Sequence, residues 1–238
     1  MKHIDIVAGL LQKNSHSFHN VVPFDRTKDR LLQMDFTSEN ATLNDEILEH
    51  TDLFSNHIQQ QLQAAGATYG IGGYNEHRTI YKRSSLFNGT SAADRRLHLG
   101  IDIWGKEGTP VFAALGGMVH SFAFNDHYGD YGATIILLHQ LDGFPFYSLY
   151  GHLSLADFAG LKEGIYISRG TEFAHFGTPA ENGHWPPHLH FQLIIDMEMN
   201  KGDYPGVCSL EERDKYLNNC PDPDLVLQMM SYAQKHWD

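Results

Sequence analysis

Two pairs of side chains, far apart in the chain, carry the chemistry of this sequence: His98 and Asp102 in Arg96-Leu97-His98-Leu99-Gly100-Ile101-Asp102, and His188 and His190 behind Trp185-Pro186-Pro187. Together they offer a zinc site, because three nitrogen and oxygen donors plus one open position let zinc activate a water molecule for hydrolysis. His188 and His190 are two apart, so on a strand both rings leave the same face and can converge on a small target. The spacing leaves open whether both bind metal. Pro186 and Pro187 fit a strand that starts here at a cleft edge.

His98 and Asp102 would share a helix face, yet Gly100 between them and Ile101, Ile103 and Trp104 after it argue for extended chain. On a straight strand the two would stand ~13 Å apart. One ion reaches both only if the chain bends, and Gly100 is the residue expected to permit that bend or bulge. Alone, this pair reads as a solvated His and Asp, and with 16 histidines a chance His-x-His is ordinary. His152, in Tyr147-Ser148-Leu149-Tyr150-Gly151-His152-Leu153-Ser154, follows a strand-like run where a loop can carry it over a sheet. His139 ends an apolar strand and reads as a core or edge residue, while His3, His50, His57, His77 and His236 fall in helical or polar segments. His127 and His184 are placed in loops near the candidate site.

The elements that must position these groups are mostly strands. Short apolar runs alternate with glycine-containing breaks at 110–113, 118–124, 133–139, 144–150, 165–168, 172–176 and 188–195, which predicts antiparallel sheet. Residues 1–90 read as an α+β extension and 91–238 as the β domain with its tail, with the boundary between Ser84 and Ala93. In the extension, Asn44 is expected to cap one helix carrying Ile47, Thr51, Phe54, Ile58 and Leu62, ended by Gly66. Gly70-Ile71-Gly72-Gly73-Tyr74-Asn75 lacks the Lys-Ser or Lys-Thr of a phosphate loop and reads as a turn. A short helix is expected after Pro221 and Pro223.

With 238 residues, 42% of them hydrophobic, the chain can bury a substantial core. The formal charge of −12 disfavours nucleic acid, anionic membranes and adhesion to a polyanionic cell envelope. Cys208 and Cys220 form no CxxC motif and read as reduced structural thiols. The first residues lack a clean signal-peptide pattern, and no apolar run approaches a membrane span, so a cytoplasmic location is the expectation.

Read together, the motifs resemble the lysostaphin/LytM type of zinc metallopeptidase, with His-x-x-x-Asp followed far downstream by His-x-His. The likeness continues through Gly108-Thr109-Pro110-Val111-Phe112-Ala113, Gly116-Gly117-Met118-Val119, Tyr150-Gly151-His152-Leu153-Ser154 and Pro187-His188-Leu189-His190-Phe191, covering about residues 97–195. It implies a mainly β fold with an antiparallel core and an open groove, Zn2+ held by His98, Asp102 and His190, His188 as general base, and His152 stabilising the transition state. It also implies hydrolysis of a peptide or amide bond, of the kind found in peptidoglycan peptides. Gly129-Asp130-Tyr131-Gly132, Glu181 to Pro187, Asp203-Tyr204-Pro205-Gly206 and Pro221-Asp222-Pro223-Asp224 are similar to the peptidase-like segment of bacterial chains that also carry a phosphotransferase and an aminotransferase. Two other readings stand beside it: a cytosolic zinc amidohydrolase acting on a small amino compound, and a non-catalytic module on the same scaffold. Protonation of histidine ligands and base predicts loss of activity in acid.

Overall fold

The computed structural model describes residues 2–88 and 94–235. In chain order the regular elements begin with α1 (His3–Lys13), β1 (Leu31–Gln33), α2 (Asp45–Glu49), α3 (Thr51–Ala65) and β2 (Tyr69–Gly72). Then come β3 (Leu97–His98), β4 (Ile101–Trp104), β5 (Pro110–Phe112), β6 (Gly117–Asn125), β7 (Gly132–Leu141), β8 (Phe144–Leu153), β9 (Tyr166–Ile167), β10 (Glu172–His175) and β11 (His188–Ile194). The chain closes with β12 (Val207–Cys208), α4 (Arg213–Leu217), α5 (Asp224–Leu227) and β13 (Ala233–Gln234). Every strand-like run expected between residues 110 and 195 is a strand, and the helix after Pro223 is α5.

Nine strands form one sheet in the order β13-β1-β2-β4-β11-β8-β7-β6-β9. From β2 to β9 the pairings are antiparallel, as alternation of short runs and turns predicts. The edge departs from the expectation. β1 pairs in parallel with β2 and with β13, because the chain from β1 to β2 crosses over through α2 and α3 rather than a tight turn. The extension therefore contributes strands to the sheet that carries the candidate site. The expected boundary at residues 90/91 lies outside the described residues, as does His236.

Two other expectations need correction. The helix begun by Asn44, whose side chain accepts from the Ile47 amide, is interrupted at His50 (φ −111°, ψ 113°) and becomes α2 and α3. Phe54, Ile58 and Leu62 still face the core, and Gly66 ends α3 in the left-handed conformation. Gly70 to Gly72, expected as a turn, lie in β2. A methyl group at Gly70 would meet Met34 Cγ at 2.7 Å, so glycine here serves close packing beside β1 rather than reversal of the chain. The helix α1, burying Val7 and Leu11, was not anticipated.

Among the described residues no helix is long and apolar enough to cross a membrane. Cys208 and Cys220 are buried free thiols. His139 is the expected core histidine: Nδ1 donates to the Gly116 carbonyl at 3.0 Å and Nε2 accepts from Ser148 Oγ at 2.6 Å. Burial pushes it down to about 4. A histidine held neutral contributes stability that is present above the unfolded value near 6.5 and is lost as pH falls toward 4. Denaturant midpoints measured across that window should therefore fall more steeply for the native chain than for His139→Gln; equal slopes would remove this assignment.

Candidate active site

The register of three central strands assembles the site. Across β4 and β11, Asp102 lies opposite His190 and Trp104 opposite His188; across β11 and β8, His190 lies opposite Gly151, next to His152. His98 arrives from β3, which leaves the main sheet to pair with β12. The expected bend between His98 and Asp102 falls at Gly100, and a close approach also requires glycine there. A methyl group there would lie 2.5 Å from Cε1 of His190 and 2.9 Å from the Phe191 carbonyl oxygen, so only glycine lets the His190 ring approach.

His98 Nε2, Asp102 Oδ1 and His190 Nδ1 form a triangle with edges of 2.9, 3.1 and 3.3 Å. Two tetrahedral zinc ligands with bonds of about 2.0–2.1 Å stand roughly 3.3 Å apart, so the triangle has the size of one tetrahedral face. The tautomers fit as well. Nδ1 of His98 faces the Gly73 carbonyl at 3.0 Å, which can only accept, so the proton sits on Nδ1 and the Nε2 lone pair faces inward. Gln192 spends its amide N–H groups on the Pro205 carbonyl and Cys220 Sγ, which turns Oε1 toward His190 Nε2 at 2.9 Å. His190 therefore donates from Nε2 and presents the Nδ1 lone pair. Three acceptor atoms at these distances repel one another unless a cation lies between them, and this donor set is one that zinc accepts. Among the described residues no fourth His, Cys, Asp or Glu joins the cluster.

Arg78 holds the other carboxylate oxygen. Its Nη1 donates to Asp102 Oδ2, Nε to Glu76 Oε2 at 2.6 Å and Nη2 to the Gly72 carbonyl at 3.1 Å, with the side chain 1% exposed. Burial alone would raise the Asp102 carboxyl; the buried Arg78 guanidinium against Oδ2 outweighs it and holds the group well below the usual carboxylate range. Burial, reinforced by Arg78, likewise pushes His98 down to about 3, so it stays neutral.

His188 and His152 lie beside this cluster. Nδ1 of His188 donates to the Pro186 carbonyl at 2.7 Å, leaving Nε2 as the basic atom, and the ring stacks on Trp104 with centroids 3.9 Å apart. Burial pushes His188 down to about 4. Nδ1 of His152 donates to the Asn182 carbonyl at 2.8 Å, and its ring lies 4.1 Å from that of His188. The His152 backbone has φ 64°, a costly conformation for a residue other than glycine, held by bonds to Tyr131 and Gly177. Burial and the neighbouring His188 and His190 lower its pKa.

The structure thus brings all five expected residues to one cavity of about 120 Å³. Sequence reasoning missed Arg78, Asn182 and Gln192, since an isolated Arg, Asn or Gln carries no spacing signal. From the segment 69–88, Tyr81 lines the cavity. Tyr74 donates to the Cys220 carbonyl, and Asn88 accepts from Arg96. His184 is exposed and stacks on Tyr128, 5.3 Å away.

The sheet thus presents a buried His/Asp/His donor set beside two further histidines, a candidate zinc centre. Residues 96–201 match the model of peptidase family M23, and over this segment the chain is similar to that family. It is 27% identical over 146 residues to an L-Ala--D-Glu endopeptidase of Bacillus subtilis (strain 168), a match covering 58% of this chain and 42% of that protein. Among solved structures, the lysostaphin catalytic domain from Staphylococcus simulans is 18% identical, covering 68% of this chain and 96% of that one with a TM-score of 0.39. A zinc-containing peptidase from Vibrio cholerae is 22% identical, covering 51% and 32%, with a TM-score of 0.35.

Proposed function

We propose that the protein is a zinc-dependent endopeptidase that hydrolyses a peptide or amide bond, on peptides of the peptidoglycan type. The observation that carries this reading is the convergence of three unprotonated donor atoms, each fixed by its own outer partner, with no proton available between them. His98, Asp102 and His190 would hold the ion, which would supply Lewis acidity to activate water near neutral pH. His188, neutral and with Nε2 left as the basic atom by the tautomer that Pro186 sets, takes the proton as water attacks the carbonyl carbon. His152, its Nδ1 proton committed to the Asn182 carbonyl, would donate to the developing oxyanion only after taking a proton at Nε2. The amide C–N bond then breaks, the carbonyl carbon keeps the hydroxyl as a carboxylic acid, and the amine leaves with the proton.

The finer likeness is to phosphotransferase- and aminotransferase-linked segments. Gly129, Asp130, Tyr131, Trp185, Asp203, Pro205 and Gly206, from the segments that carry it, all line the cavity. A cytoplasmic setting belongs to the same reading.

The test is zinc content by metal analysis, followed by cleavage of glycine-rich peptides, stem peptides and small amides with and without chelator. Chelator-insensitive cleavage would sink the proposal, and so would a purified chain that takes up no zinc. Arg78 gives a further expected outcome. Outer-shell partners of ligands typically contribute 10–100-fold to metal affinity. Competition against a chelating dye should find zinc bound about 10–100-fold more weakly by Arg78→Met, with Arg78→Lys recovering part of the loss through its retained charge.

A further inference from the structure

We propose that this site takes short peptides or small amides and excludes cross-linked polymer, with residues 80–87 as the wall that sets the limit. The proposal rests on the hydrolytic reading above and specifies its substrate. All five site side chains are close to fully covered, from 0% exposure at His98 to 5% at His152. The cavity above them, about 120 Å³, is well below the roughly 300–1,000 Å³ of pockets that hold drug-sized ligands. Only Leu86, Arg95, Asp130, Asp203 and Pro205 among its lining residues keep appreciable exposure, and they mark the mouth.

The wall comes from outside the segment that matches the family. Tyr81 packs its ring 4.8 Å from Phe87, 6.0 Å from Trp185 and 6.3 Å from His98, closing one side of the space over the ligands. It is fastened at several points: Thr79 N–H to the Phe36 carbonyl, Arg83 to Tyr128 and Thr51, Ser84 to the Tyr128 carbonyl, and Arg95 N–H to the Phe87 carbonyl. A substrate must therefore fit the space beneath this wall rather than displace a loose flap. The formal charge of −12 further opposes docking on an anionic wall polymer.

The experiment uses the zinc-loaded full chain and a ladder of peptides sharing one scissile bond, from two to eight residues, with purified sacculi as the polymer. Catalytic efficiency should fall at least about tenfold from the shortest cleavable peptide to the longest, and sacculi should stay intact. Leu86→Ala and Phe87→Ala should each narrow that ratio; the half-exposed Leu86 keeps the test available if Phe87→Ala does not fold. Solubilised sacculi, or efficiency independent of length, would overturn the proposal. Calorimetric binding of the same ladder to zinc-loaded His188→Ala separates it from the parent reading. Tight binding of short peptides alone, with no hydrolysis of any by the native chain, sinks the hydrolase and keeps the size limit, whereas equal binding of all lengths sinks the size limit itself.

Discussion

Replacing His98 or His190 by alanine should leave the chain folded and remove its zinc. Zinc binding to four-ligand protein sites contributes about 10–16 kcal/mol, so one donor is worth about 3 kcal/mol, and its loss should weaken affinity more than about 100-fold. The two histidines are the cleaner tests. Asp102 also pairs with Arg78 inside the protein, and removing one partner of a buried pair costs about 3–5 kcal/mol by leaving the other charge uncompensated. Asp102→Ala should therefore lose stability as well as metal, and thermal unfolding run beside metal analysis distinguishes the effects. Retention of one equivalent of zinc by His98→Ala or His190→Ala would remove the proposed ligand set.

His188→Ala should behave in the opposite way, keeping zinc while turnover falls about 10²–10⁴-fold, the usual contribution of a positioned general base. The two histidines of the His-x-His pair are separated by their surroundings. His190 presents Nδ1 to the cluster because Gln192 takes its Nε2 proton, whereas His188 has its Nδ1 committed to Pro186 and lies outside the three-donor group. Single-turnover assays with metal content measured on the same samples decide the point. A metal-free His188→Ala together with a zinc-loaded His190→Ala would reverse the roles.

Much of the fold was legible because the β core is built from regular local signals. Runs such as 133–139 and 144–150 alternate with turns, and each became a strand with antiparallel partners. Where the reading failed, a long-range partner overrode the local signal. Gly70 and Gly72 resemble a turn until Met34 on a neighbouring segment is seen to leave no room for a side chain at Gly70. The single helix expected after Asn44 gave way at His50, where the backbone turns extended between α2 and α3. Parallel pairing of β1 with β13 joins segments from opposite ends of the chain, for which no local pattern exists.

The sequence alone determined the chemical inventory: His98, Asp102, His152, His188 and His190, because ligand and base chemistry depends on residue type, and strand period places alternate residues on one face. Tertiary structure decided which nitrogen of each ring is free, since that depends on the carbonyls of Gly73 and Pro186 and on the amide of Gln192. It also decided that Arg78 stands behind Asp102 and that residues 80–87 roof the cavity. A proton's position and a cavity's size follow from atoms that meet only when distant segments pack, and no spacing along a chain encodes them.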